Sequence, residues 1–412
     1  MRRSFWLLYG LLLFMPALLW GQAADTVKVG IRTVDLAVDD EGMVVALSEG
    51  RDLDFDTVVD AEAGEMPGAL FRIDPATHEV IAKRRFPGFI RNLAVAGRIG
   101  YFVQNAPLRL TRFDTHTLAT LRDTLILAAP EHGIAFFEVN VDPKTGLLYI
   151  GTGGFSDAGE VLVFDSTGVL LHRAHTGFGA SDVLFKDEDA TASRAAFIIN
   201  EGQFGQESAT LSYLNIQQGL FRARTGRPLG DTGNGMALGP DGKLYIVMNG
   251  SHTIEVFDTK TQRAVGTVKM GTTGFNGPRQ VALLPDSASG VVTTFNNDLR
   301  FFDLQTLQVT DSLAVGQKPE QMVAIGDYLF VANGGFTGFA EDSTIFVVDW
   351  RNKTIVDTLV TGIRTTHLVR GLTGNFLYAL SEGRDLNFDG VLDEDAGEVP
   401  AAIFRIDATT HE

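Results

Sequence analysis

The sequence predicts an all-β fold: a single β-propeller of four-stranded blades. Three observations lead there. Segments closing on Phe-Asp, Ile-Asp or a close variant recur along the chain about every 40–58 residues, the range of propeller blades. Between them lie apolar and β-branched runs of roughly four to seven residues, punctuated by Gly, Pro, Asp and Asn. No stretch sustains a helical period long enough to compete.

The recurring segments are LFRID to Asp74, LTRFD to Asp114, VLVFD to Asp165, IEVFD to Asp258, LRFFD to Asp303, IFVVD to Asp349 and IFRID to Asp407, with LSYLN to Asn215 filling the gap. One unit, from Arg279, shows the grammar. Strand QVALL, turn PDSASG, strand VVTTF, a short loop, strand LRFFD, turn LQTLQ and strand VTDSLAV follow one another. Elsewhere DPKTGLLYI, GPDGKLYIV and TGNFLYAL place a polar Gly turn before an apolar strand, which suits a hairpin between the first two strands. Repeats are expected at about 33–89, 90–132, 133–179, 180–233, 234–275, 276–317, 318–364 and 365–412. Radial repetition favours a propeller over a solenoid or a row of sandwiches, because small sheets then pack face to face with protected edges.

The N-terminal 24 residues stand apart from these repeats. Arg2 and Arg3, a short apolar run and the small-residue exit Gly21-Gln22-Ala23 read as a secretory signal peptide, with a membrane anchor as the competing reading. The propeller then spans 25–412 and is expected outside the cytoplasm, with no membrane span after cleavage.

The chain ends carry the closure. Ala379–Glu412 nearly copies Ala46–Glu79, and DTLVTGIRT from Asp357 matches DTVKVGIRT from Asp25. The final copy stops after its third strand, whereas the N-terminus begins with a spare fourth-type strand. Pairing Thr26–Gly30 with the last unit completes a ring of eight blades and leaves no open sheet edge. The alternative is seven blades plus a surplus C-terminal repeat.

Charge and cysteine usage exclude several functions. Lys and Arg number 34 against 51 Asp and Glu, a net charge of −17, which disfavours a nucleic-acid partner. With no cysteine the chain has no disulfide, thiolate nucleophile or Cys-ligated zinc.

At FIINEGQFGQESATLSYLN, GRPLGDTGNGMALGPDGKLYIVMNGSHTIEVFD and VGQKPEQMVAIGDYLFVANGGF, the chain resembles the YncE-like propellers of secreted and surface-exposed bacterial proteins. It is most similar to the BtuG-like branch of cobalamin-binding surface propellers, strongest from about Phe197 to Val360. The resemblance implies a seven-bladed ring and a binding role for a corrinoid-like or other small ligand. It also implies a membrane transporter or another envelope protein as partner. Members of that branch are lipid-anchored, and this chain has no cysteine to carry a lipid.

The acidic loops are the sharpest chemical signal. The last copy reads Asp385-x-Asn387-x-Asp389-Gly390-x-x-Asp393-x-Asp395, with Glu398 following. Alternating oxygen ligands before a Gly match the first half of an EF-hand-type calcium loop. The first copy keeps Asp52, Asp54, Asp56, Asp60 and Glu62, with Glu65 following, but has Thr57 in place of the Gly. Neither has a Glu at the twelfth position, where Ala63 and Ala396 sit. A structural Ca2+ is expected, with a solvated acidic loop as the alternative.

That loop joins the second and third strands and shares one face of a propeller with the connections between blades. Phe89, Phe155, Phe178, Phe204, Phe275 and Phe336 are placed by the repeat around this rim, and Arg91, His132, Glu138, Asn276, Glu320 and His367 near the channel mouth. Exposed aromatics with a few convergent polar groups make a small-molecule site; the alternative is that the Phe residues plug between blades. Inner strands such as VALLP, MALGP and LAVAG look apolar, leaving Glu138 and Glu320 as the acidic candidates near the channel. His78, His116 and His411 fall in turns of the opposite face. No GxSxG, HExxH or P-loop motif appears. The expectation is a non-catalytic secreted module that binds a small molecule or a surface. A lactonase-like metal-dependent hydrolase and an adhesion unit of a longer protein are the alternatives.

Overall fold

The structure, a computed structural model, describes residues 25–412 apart from 31, 51–58, 61, 63–64, 105–108, 122–135, 154–157, 189–192, 224, 226, 272–276, 337–339 and 385–396. Among the described residues there are eight antiparallel sheets. Seven have four strands; the second blade has three, and the segment 122–135 that follows them lies outside the described residues. The first blade is Thr33–Val38, Val44–Ser48, Ala69–Asp74 and Glu79–Arg85, running from the axis outward. The others repeat that order, so the chain is an eight-bladed β-propeller and the seven-blade count implied by resemblance is set aside.

Burial explains why the strands read as they do. A middle strand is covered on both faces by the neighbouring blades, so Val44–Ser48 and Leu148–Thr152 are buried at every position. The outermost strand borders water, and Glu79–Arg85 is exposed along nearly its whole length. Large aromatics fill the space between sheets: Tyr101, Tyr149, Tyr213, Tyr245, Phe197, Phe257 and Phe302 are all fully buried.

The repeated Asp has a mechanical role. At the end of seven of the eight third strands its carboxylate accepts N–H groups from the turn it opens, as Asp74 does from Ala76 (2.7 Å), Asp258 from Thr261 (2.7 Å), Asp303 from Thr306 (2.6 Å) and Asp407 from Thr409 (2.7 Å); in the fourth blade the amide oxygen of Asn215 does the same for Gln218 (3.0 Å). Those N–H groups, foremost those of Thr261, Thr306, Asn352 and Thr409, hold the carboxyls of Asp258, Asp303, Asp349 and Asp407 below their ordinary range. Four residues on, the turn needs a left-handed backbone. His78 (φ 61°) and His411 (φ 65°) occupy that position, which accounts for two of the histidines as turn residues.

The first-to-second-strand turns use Gly for the same reason. Gly42, Gly97, Gly146, Gly242, Gly326 and Gly374 all have positive φ there, but the sixth blade places Ser287 at φ 58°. Ser287 is exposed, and its side chain makes no hydrogen bond among the described residues. A non-Gly residue in this region costs about 1–2 kcal/mol, partly offset by the greater unfolded-state freedom of Gly. Ser287→Gly is therefore expected to stabilise the protein by roughly 0.5–1 kcal/mol, measured by chemical denaturation.

The ring closes through the chain ends. Asp25–Gly30 pairs antiparallel with Ala401–Asp407, in the register Val27↔Ile403 and Lys28↔Ala402, as the outer strand of the eighth blade. Val27 and Val29 enter one apolar cluster with Leu36, Ala46 and Phe71 of the first blade and Tyr378, Leu380 and Ile403 of the eighth. The innermost strands Thr33–Val38 and Thr365–Arg370 touch, completing the circle.

Candidate binding site in the central channel

Eight inner strands surround the axis: Thr33–Val38, Ile90–Ala96, Phe136–Val141, Ala180–Glu188, Gly233–Leu238, Pro278–Leu283, Pro319–Ile325 and Thr365–Arg370. In every one the register against the second strand breaks within the first few residues. Such a bulge disturbs strict alternation and re-aims side chains. At or beside each break stands a polar residue: Asp35, Asn92, Glu138, Asp182, Asn234, Gln280, Gln321 and His367. All eight line one cavity of about 850 Å³.

Part of this ring stitches neighbouring blades together. An inner strand has no sheet partner on its axial edge, so its free N–H groups need acceptors. The Leu93 N–H donates to Asp35 Oδ2 (2.8 Å), and the Leu368 N–H to Gln321 Oε1 (2.8 Å). The Met236 N–H serves Asp182 in the same way. Asn234 reverses the sense, its Nδ2 donating to the Arg279 carbonyl (2.8 Å). Arg279 in turn reaches Asn234 Oδ1 (2.7 Å) and Glu320 Oε2 (3.2 Å), with its guanidinium 4.5 Å above the Phe295 ring.

The acidic members are strongly perturbed. Burial, then the nearby Asp182 and Asp35, push the Glu138 carboxyl up to about 8. Burial pushes Asp182 up to about 6, against hydrogen bonds from Val183 and Met236. Asp35 is also raised, burial outweighing the attraction of His367. Burial likewise raises Glu49, against Arg32 and Arg91, and raises Glu320, against Arg279. Arg91 is lowered by burial despite Glu49. Perturbed carboxyls gathered in a cavity are a mark of functional sites, since a merely structural strand would place apolar side chains there.

Of the residues placed at the mouth by sequence, Arg91, Glu138 and His367 line the cavity, and Glu320 sits beside it on Arg279. His132 and Asn276 lie outside the described residues. The aromatic rim needs correction at Phe89: it is only 5% exposed, so its ring is not presented on the rim. Phe178 is part-buried at the end of its strand, and Phe204 is exposed at 66%. Phe155 and Phe275 lie outside the described residues, as does the side chain of Phe336.

Of the metal candidates, Asp52, Asp54, Asp56, Asp385, Asn387, Asp389, Asp393 and Asp395 lie outside the described residues. Asp60 Oδ1 accepts the Glu62 N–H (2.9 Å), and Glu65 Oε2 accepts the Asp60 N–H (2.7 Å). The matching carboxylates Glu65 and Glu398 are both buried.

Sequence reasoning missed Asp35, Asn92, Asp182, Asn234, Gln280 and Gln321. The usable signal was a polar residue just ahead of the apolar run in each inner strand: DLAV, NLAV, EVNV, DVLF, NGMAL, QVAL, QMVA and HLVR. A separate set on the opposite face, Asp39, Asp40 and His116, also comes close enough to share an ion. Its atoms are already engaged by neighbours: Arg72 Nε binds Asp39 Oδ2 at 2.9 Å, its Nη2 binds Glu41 at 2.6 Å, and His116 Nε2 meets Asp40 at 2.8 Å.

A family model described as a domain of unknown function, DUF5074, matches residues 194–386. Comparison with curated proteins returns no match. Among solved structures the chain is similar to one described as the Dos1 propeller, with TM-score 0.64, 13% identity, and coverage of 92% of this chain and 94% of that one. It is also similar to a dihydro-heme d1 dehydrogenase, NirN, in complex with DHE, with TM-score 0.57, 15% identity and coverage of 81% of this chain and 66% of that one, just under two thirds. At these identities the likeness is one of fold.

Proposed function

We propose that the protein is a ligand-binding β-propeller whose site is the central channel, acting by presenting a preformed surface without making or breaking bonds. The observation that carries this is the ring of polar side chains, one from each blade, turned by bulges into a single cavity. A purely structural axis would be filled with apolar side chains. The cavity volume falls in the range of small-molecule sites, about 300–1,000 Å³. The resemblance to surface propellers supports a secreted or surface-exposed location, and with it an envelope protein or transporter as partner. Among the described residues no helix is long and apolar enough to cross a membrane.

Thermal denaturation with a panel of cobalamin, sugars, amino acids and amines tests the site. At least one compound is expected to raise the midpoint, and Ser181→Trp, which obstructs the cavity, to abolish that rise. A rise unaffected by Ser181→Trp would place binding elsewhere and refute the channel assignment.

Calcium in the acidic loops belongs to the same proposal, supported by the alternating carboxylates of both copies. Since a ligand stabilises by RT ln(1 + [L]/Kd), millimolar calcium is expected to raise the midpoint relative to chelator, and Asp389→Asn with Asp393→Asn to reduce the gain. An unchanged midpoint would remove calcium from the account.

A further inference from the structure

The polar ring is lopsided. Its carboxylates, Asp35, Glu138 and Asp182, come from the first, third and fourth blades, whereas Asn234, Gln280 and Gln321 place amides on the fifth, sixth and seventh. Glu138 and Asp182 make no salt bridge among the described residues, and each of the three carboxylates is destabilised by burial. Their fields overlap at Glu138, which feels both of the others. One positive charge placed there would be attracted by all three.

Two further groups in the lining are unspent. Asn140 Nδ2 and Ser181 Oγ are buried atoms with no hydrogen-bond partner. Buried polar atoms are ordinarily satisfied by protein or water, so each has a hydrogen bond to offer a ligand hydroxyl once its side chain turns to the cavity. An amide N–H donates to a hydroxyl oxygen, and a serine hydroxyl donates or accepts.

A bare metal ion fits this arrangement poorly. Among the described residues, the one set of three or more carboxylate or imidazole atoms lying within 4.8 Å of one another is Asp39, Asp40 and His116, on the other face. The channel carboxylates do not bring three ligand atoms within 4.8 Å of one another, the reach of a metal ion, whereas an ammonium hydrogen-bonds at about 2.7–2.9 Å and also attracts carboxylates at longer range as a charge. A carbon skeleton carrying an ammonium group and several hydroxyls bridges such spacing, and a cavity of about 850 Å³ holds one of disaccharide size.

We infer that the channel binds a hydroxylated organic amine of the amino-sugar class, its ammonium facing Asp35, Glu138 and Asp182 and its hydroxyls meeting Asn140, Ser181 and the amide side of the ring. This rests on the channel being the binding site and adds the chemical class of the ligand. Binding is coupled to proton release. The titratable and charged groups facing Glu138 in the cavity are Asp35, Glu49, Arg91, Asp182 and His367. Glu138, protonated at neutral pH when the cavity is empty, ionises when the ammonium arrives.

Isothermal titration at pH 6, where the sugar amine already carries its proton and Glu138 is still neutral, with the glucosamine disaccharide, its N,N′-diacetylated form and lactose tests the inference. The free amine is expected to bind at least tenfold more tightly than either neutral sugar. In buffers of different ionisation enthalpy, its binding should release protons. Glu138→Gln and Asp182→Asn should each weaken the amine about tenfold and, for Glu138→Gln, suppress the proton release; circular dichroism checks that both variants fold. Equal affinity for the acetylated sugar overturns the amine class, as does amine binding that ignores both substitutions. If no disaccharide binds but another compound binds in a manner abolished by Ser181→Trp, the channel stands and the amine falls. If nothing tested binds there, both fall.

Discussion

Glu138→Gln is expected to stabilise the protein at pH 9 by about 2–4 kcal/mol while leaving its stability at pH 4.5 nearly unchanged. The folded carboxyl titrates near 8 against an ordinary value of 4.5. Between those values the folded state holds a proton that the unfolded state has lost. Stability therefore falls as pH rises through this window, and the penalty is complete above pH 8. At about 1.36 kcal/mol per pH unit the ceiling is near 5 kcal/mol. Water in the channel lowers that figure, since the side chain is only part-buried. Gln keeps the shape and carries no charge to desolvate. Asp35, Glu49, Arg91, Asp182 and His367 face the same cavity and remain in both proteins. Asp182, which titrates near 6, and the raised Asp35, Glu49 and Glu320 add a fall in stability with pH that is common to both proteins and cancels in the comparison. Urea denaturation at pH 4.5, 7 and 9 reads the difference. A gap of constant size across that range would show that Glu138 is not held neutral by its surroundings.

Val29→Asp is expected to cost about 4 kcal/mol or more and to promote self-association. Val29 is fully buried between the first and eighth blades, packed in the cluster of Leu36, Phe71, Leu380 and Ile403. Replacing it loses the burial of a Val side chain, about 1.5–3 kcal/mol, and adds an unpaired buried carboxylate. The simplest relief is for Asp25–Gly30 to leave the sheet. That exposes the edge of Ala401–Asp407, a template for another chain. Lys28→Gln, on the exposed side of the same strand, should stay within about 0.5 kcal/mol of wild type. Melting curves with size-exclusion chromatography distinguish the two. Equal, small effects at both positions would mean that the terminal strand does not carry the closure.

What the sequence revealed and what it concealed have separate physical causes. The terminal Asp of the third strand was legible because a tight turn needs a side-chain oxygen to receive its N–H groups, and seven of the eight turns use Asp for it, with Asn215 in the fourth blade. The eight-blade count was legible from an arithmetic mismatch: one strand too few at the C-terminus and one to spare at the N-terminus. The family resemblance pointed to seven and was wrong, because blade number depends on how the ends pair and not on how a single blade is built.

The channel was the hard part. A bulge in each inner strand breaks the two-residue period, so a reading by alternation assigns the wrong face to Asp35, Asp182 or Gln280 and sees only the apolar run beyond. Arg91, Glu138 and His367 were found because they lie near the connections between blades. Phe89 misled for the opposite reason. It sits next to Gly88, which reads as a loop, yet its ring is buried.

The central claim is that the two ends of the chain complete one sheet and thereby shut a ring of eight blades around the polar channel. Because the chain contains no cysteine, a pair introduced as Lys28→Cys and Ala402→Cys, directly opposite in register, gives a single unambiguous crosslink. Neighbouring antiparallel positions lie within the Cα separation a disulfide requires. Under mild oxidation of the folded protein, the ring predicts an intrachain disulfide in nearly all molecules, seen as a monomer of altered mobility without reductant, with a raised melting midpoint. A folded protein whose two thiols stay free, or that links only chain to chain, would contradict it.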